Sequence, residues 1–142
     1  MGGPEDARFF LDGRTVGGTV GLAPTTQGPY TGTSWEVFVV KEVPNMEILL
    51  RCLGQLDGPE WLDGRTADGG VGLAPHTAGV YTGTVWEVRE KPFWQRNIAL
   101  KCLGKGVEGN RWLLGDPRDR TVRLGPDSDI ENAQWTYTFL NL

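Results

Sequence analysis

The sequence predicts an all-β domain with internal threefold symmetry, a β-trefoil occupying residues 1–142 as one domain. Three observations predict it: a long internal repeat, apolar residues that alternate with polar ones, and turn-forming clusters that interrupt them at short intervals. The segment 11–37, LDGRTVGGTVGLAPTTQGPYTGTSWEV, aligns without a gap with 62–88, LDGRTADGGVGLAPHTAGVYTGTVWEV. The offset is 51, and 20 of the 27 positions are identical. A more distant third copy keeps Trp112 with Phe10 and Trp61, Leu113 with Leu11 and Leu62, and Val122 with Val20 and Val71. It also keeps Leu124 with Leu22 and Leu73, and Trp135 with Trp35 and Trp86. The repeats run approximately over 1–46, 47–96 and 97–142.

Within each unit the pattern is that of strands. EILLRCLG (47–54) and NIALKCLG (97–104) place Ile, Leu and Cys on one face at a period of two. Asp12-Gly13 and Asp63-Gly64 follow an apolar pair with a turn-prone dipeptide. Each full unit reads as four strands, of the types ALKCLG, WLDGRT, VGLAP and TxWEV. Three such units fit a closed six-stranded barrel capped by three hairpins, whereas three blades are too few for a propeller. The first unit lacks its opening strand: MGGPEDAR before Phe9 shows no alternation, so eleven strands are expected. An edge left open in this way favours a homodimer, with the missing strand trimmed, irregular or supplied by another chain.

Composition narrows the function. The net charge of −4 argues against a nucleic-acid partner. No apolar run approaches the ~20 residues that span a bilayer, and no signal peptide opens the chain, so membrane insertion is not expected. The expected location is cytoplasmic, or outside the cell after release without a signal peptide. One histidine and two serines, Ser34 and Ser128, leave little for catalysis, and no enzyme activity or cofactor is expected. Cys52 and Cys102 fall at equivalent inward positions and read as buried free thiols. The string Gly104–Gly109 fits GxGxxG but precedes a strand, so no helix N-terminus is there to meet a pyrophosphate. The acidic run Asp127, Asp129 and Glu131 lacks calcium-loop spacing and reads as a solvated loop, so no metal site is expected.

The Leu-Asp of the second strand, the Val-x-Leu of the third and the x-x-Trp of the fourth resemble the ricin B-type lectin module. The resemblance covers nearly the whole chain and implies a sugar held by Asp12 and Asp63. It departs from the family at Leu114, which replaces that Asp in the third copy. It departs again at Thr33, Thr84 and Ala133, which replace the glutamine of the family's QxW.

The candidate ligand site follows. A carboxylate accepting two hydroxyl hydrogen bonds orients a sugar, although Asp before Gly equally serves its own turn. Tyr30 and Tyr81, each 18 residues after its aspartate, offer an aromatic face for stacking or a means of pinning the loop to the barrel. Arg14 and Arg65 would fork onto a ligand carboxylate or pair with a nearby acid. His76 replaces Thr25 in the second copy and would add a donor. Phe93 and Trp94, an aromatic pair in the 91–96 linker, would anchor a protein partner or fold back over the barrel. The expected function is a non-enzymatic carbohydrate-binding lectin. Its two similar sites, in repeats one and two, would bind glycans or glycoconjugates, and the shared loop residues around Tyr30 and Tyr81 favour a shared ligand. The alternative is a protein-interaction domain, such as a protease inhibitor or cytoskeletal binder.

Overall fold

Short β-branched and aliphatic runs separated by Gly-rich turns form antiparallel hairpins, and their apolar faces must then be buried against each other. A computed structural model describes residues 9–14, 17–28, 31–54, 58–65, 68–78, 81–90, 97–104, 109–127 and 133–136. Among these it contains the strands β1 (Phe10–Arg14), β2 (Thr19–Ala23), β3 (Trp35–Lys41), β4 (Glu47–Cys52) and β5 (Trp61–Arg65). These are followed by β6 (Gly70–Ala74), a 3₁₀ turn (Thr82–Thr84), β7 (Trp86–Glu90), β8 (Ile98–Cys102), β9 (Trp112–Asp116) and β10 (Thr121–Gly125).

The expected β-trefoil is not what the strand pairing builds. Antiparallel ladders close a ring of eight strands, β2–β10–β9–β8–β7–β4–β5–β6 and back to β2, while β1 pairs only β2 and β3 only β4, outside the ring. The reason lies in the uneven repeats. In the second unit β4 bridges β5 and β7, through Arg51↔Trp61 and Ile48↔Trp86. In the third, β8 bridges β9 and the isolated Trp135 pair, through Lys101↔Trp112 and Ile98↔Trp135. No described strand does this for β1 and β3, so both stay outside. The hairpins β5–β6 and β9–β10 are built into the barrel wall instead of forming a separate cap. Ten strands are described rather than eleven; among the described residues the fourth strand of the third unit is represented by the bridge at Trp135.

Other features of the repeat are kept. Strands β2, β6 and β10 meet pairwise through single rungs, Thr121↔Gly21, Arg123↔Gly70 and Thr19↔Gly72. The core joins the repeated residues Leu22, Leu73 and Leu124 to Leu62, Leu113, Trp86, Cys52 and Cys102. Each tryptophan pins its unit through the same bond: the indole N–H of Trp35 donates to Leu11 C=O (3.0 Å), Trp86 to Leu62 (3.0 Å) and Trp135 to Leu113 (2.9 Å). A buried indole that keeps a partner adds apolar burial with no orphaned donor. Among the described residues no helix is long and apolar enough to cross a membrane.

Candidate functional site

The two predicted sites are built alike. Asp12 in β1 and Asp63 in β5 are 3% and 6% exposed. Their carboxylates accept the backbone N–H of Gly32 and of Gly83, the glycines of the two Thr-Gly-Thr loops. In the first unit Gly13 N–H returns a bond to Gly32 C=O (2.9 Å), which closes the clasp. A Cβ on Gly32 would overlap the Gly13 carbonyl, and one on Gly83 the Gly64 carbonyl, so only glycine fits this approach. Beneath each clasp lies a thiol. Sγ of Cys52 stands 3.5 Å from the Gly13 and Gly32 carbonyls, and Sγ of Cys102 stands 3.5 Å from those of Gly64 and Gly83. Both cysteines are free and fully buried.

Electrostatics follow from burial. Desolvation pushes the Asp12 and Asp63 carboxyls above their ordinary range, while Arg14 or Arg65 and the glycine N–H pull back. Nε of Arg14 lies 3.5 Å from Asp12 Oδ2. Each guanidinium also reaches across the neighbouring strand, where a Cβ on Gly21 or Gly72 would meet it at 3.0 or 2.8 Å. The third unit reverses this arrangement. Asp116 stands where the arginine stood and Arg123 where the glycine stood, and Arg123 helps lower the Asp116 carboxyl, after the larger effect of its hydrogen bonds with Arg118. Burial likewise raises both cysteine thiols, leaving them protonated and poorly nucleophilic.

His76 and Tyr81 come together: their rings meet edge-on with centroids 6.3 Å apart, His76 exposed and Tyr81 half-buried. Their loop is held by Thr84, 1% exposed, whose hydroxyl lies 3.4 Å from the carbonyls of Thr77 and Tyr81. Asp63 therefore reaches the Tyr81 loop through Gly83, as its anchor. Tyr30, Phe93 and Trp94 lie outside the described residues, as do Ser128–Glu131 of the acidic run and Lys105–Glu108 of the GxGxxG string. Among the described residues no group of three His, Cys, Asp or Glu is placed to hold a metal.

Sequence reasoning placed a strand of the TxWEV type here but missed the exposed surface that β3 presents. Every residue from Glu36 to Lys41 is exposed, although the segment is WEVFVVK. Val37 (51%), Phe38 (36%), Val39 (50%) and Val40 (51%) continue into Val43 (75%) and Met46 (42%). Charged residues rim this surface: Arg51 bonds Glu36 (3.2 Å) and Glu60 (3.1 Å), and Lys41 faces Glu47 (3.9 Å). A groove of about 380 Å³ separates the 42–46 turn from Val88–Glu90. The signal was in the sequence. Valines follow one another on both faces of 37–40, where the second unit has the charged pair Arg89-Glu90 after Val88.

Comparison with protein-family models, curated proteins and solved structures finds no match to this chain.

Proposed function

We propose that this chain is a non-enzymatic protein-interaction module that uses β3 and the turn following it as its contact surface. One observation carries the reading: the exposed apolar residues of β3 and the turn after it, Val37–Val40, Val43 and Met46, rimmed by charge. Surfaces of this kind mark contact sites, and an uncovered strand rich in valine is otherwise an aggregation hazard. The buried aspartates support the same choice, because part of the loop identity between units one and two serves the fold: the aspartate clasp requires Gly32 and Gly83.

The test is capture from cells that produce the protein, comparing wild type with a Val39→Lys, Val43→Lys variant of unchanged circular dichroism. A protein retained only by wild type, and rebound when both components are pure, supports the reading. Equal retention by both overturns it.

A second reading, glycan binding, is favoured by the His76–Tyr81 ring pair on an anchored loop and by the resemblance to the ricin B-type lectin module. A glycan array run with Tyr81→Ala tests it. Loss of a glycan family in the folded variant supports this reading, and a silent wild-type array removes it. Asp63→Asn is the poorer probe, because it acts on the loop anchor.

A further inference from the structure

The internal repeat specifies what lies along the outer side of the strand equivalent to β3, a side on which β3 has no partner among the described residues. Antiparallel strands bond alternate residues to either side. Ser34 C=O accepts Leu53 N–H (2.9 Å), so residues 34, 36 and 38 bond toward β4, and Trp35, Val37 and Val39 turn their N–H and C=O groups away. In the second unit the equivalent outward groups are used: Val88 N–H donates to Met46 C=O (2.8 Å), and Trp86 pairs Ile48. In the third, Trp135 and Ile98 exchange both bonds at 2.8 Å. The other side of the same slot repeats as well. Cys52 N–H donates to Glu60 C=O and Cys102 N–H to Arg111 C=O, each at 2.7 Å, and the position equivalent to these acceptors is Phe9. One strand per unit thus spans both sides, β4 in the second and β8 in the third. The eight residues 53–60 link β4 to β5 and the nine residues 103–111 link β8 to β9.

Burial tracks this strand. Trp86, covered by β4, is 0% exposed, whereas its counterpart Trp35 is only partly buried and Phe10 is 38% exposed.

We propose that the slot between Phe9–Phe10 and Trp35–Val37 takes an extended strand from a second polypeptide, with aliphatic residues alternating as in Glu47–Cys52. It joins the sheet by main-chain hydrogen bonds at the β3 edge. The proposal rests on the reading of β3 as an interaction surface and names the partner's form. Its occupant is defined by chemistry. Ile48, Leu50 and Cys52 point inward from β4, and Leu100 and Cys102 from β8, all buried, so the partner presents small-to-medium apolar side chains at every second position.

The probe is a fluorescent peptide of the Glu47–Gly54 sequence carrying Cys52→Ser, titrated by anisotropy against the full 142-residue protein. A second peptide is N-methylated at its Ile48 amide, the counterpart of the Ile98 N–H that bonds Trp135. The expected result is binding that falls at least about tenfold on N-methylation. It should fall similarly in Val37→Pro, whose lost N–H serves no β4 bond. Binding indifferent to N-methylation overturns strand addition and leaves side-chain docking on β3, so the interaction reading survives. Absence of peptide binding overturns the occupant, and the Val39→Lys, Val43→Lys capture experiment then judges the surface separately. A dimer in sedimentation that Val37→Pro dissociates and the peptide does not overturns it in favour of a second copy. N-methylation leaves the protein unchanged, so the test holds even where Val37→Pro fails to fold.

Discussion

The first and second units share 20 of 27 residues over 11–37 and 62–88 and the same local bonds there, yet they do not share the same burial. Trp35 and Trp86 each donate to a leucine carbonyl 24 residues earlier at 3.0 Å. Asp12 and Asp63 hold the same glycine, and Cys52 and Cys102 sit under the same carbonyl pair at 3.5 Å. But β7 lies between β4 and β8 and buries Trp86 and Glu87, whereas β3 pairs, among the described strands, with β4 alone and exposes all but its first residue. Local sequence sets the bonds within a unit, and the neighbouring strand sets whether the unit is covered.

The largest effect that tests this contrast is at the tryptophans. Trp86→Ala removes a fully buried indole and is expected to cost about 3–5 kcal/mol in urea unfolding. Trp35→Ala, at the uncovered equivalent, is expected to cost at least about 1 kcal/mol less. Equal losses would break the contrast, since they would mean that Trp35 is as well covered as Trp86.

Next come the loop glycines, where the two units should agree. Gly32→Ala and Gly83→Ala each drive a Cβ into a carbonyl oxygen of the preceding hairpin. Overpacking of this kind costs about 1–3 kcal/mol or more. The two variants should match within about 0.5 kcal/mol by chemical denaturation. A harmless Gly32→Ala would return the loop identity to a ligand-based explanation.

The legible part of this molecule was the part fixed within one unit. The alternation in 97–102 and the inward Leu and Trp positions are local patterns, and they stand as strands and core. The Asp-Gly turns do not: Asp12-Gly13 and Asp63-Gly64 lie inside β1 and β5, paired across to Gly21-Val20 and Gly72-Val71, and the chain turns only after Arg14 and Arg65. Buried free thiols at Cys52 and Cys102 were readable for the same reason, from their period-two placement. Ring closure was not legible, because it depends on which strands find a second neighbour. The rungs that decide it are single pairings such as Thr19↔Gly72, which leave no mark in the sequence. The role of Asp12 and Asp63 was only half legible. The Asp-Gly pair alone fits either turn chemistry or ligand chemistry, whereas the backbone group that bonds the buried carboxylate belongs to a glycine 20 residues downstream.

A smaller difference should be visible in thiol reactivity. Both cysteines are buried and held protonated, so neither should react quickly with a disulfide reagent in the native state. Labelling then waits on local opening. Cys52 lies under Gly13 of β1 and the loop leading to β3, the two strands outside the ring, whereas Cys102 lies under β5, within it. Cys52 is therefore expected to label faster, by roughly fivefold for an opening cheaper by about 1 kcal/mol. Mass spectrometry of the labelled peptides reads both sites in one experiment, and equal rates would mean that the outer strands are as firmly held as the ring.

The smallest effect separates charge from geometry at the aspartates. Desolvation raises the folded-state Asp12 and Asp63 carboxyls above the ordinary 3.8, so the folded protein binds these protons more tightly than the unfolded chain. Their contribution to stability is then fully present below the ordinary value and is lost as pH rises through the raised folded value. Asn keeps an oxygen for the glycine N–H and carries no charge to desolvate, though it gives up the pairing with Arg14 or Arg65. Asp12→Asn and Asp63→Asn are thus each expected to change stability at neutral pH by less than about 1 kcal/mol, with the carboxylate pH dependence flattened in that window. Asp→Ala, which orphans the buried glycine N–H, is expected to cost about 1–3 kcal/mol at either position. Because the clasp is the same in both units, the paired variants should match here even though the tryptophans differ. A large loss in Asp63→Asn alone would mean that the second unit uses the negative charge itself, and would move weight toward a ligand at the His76–Tyr81 loop.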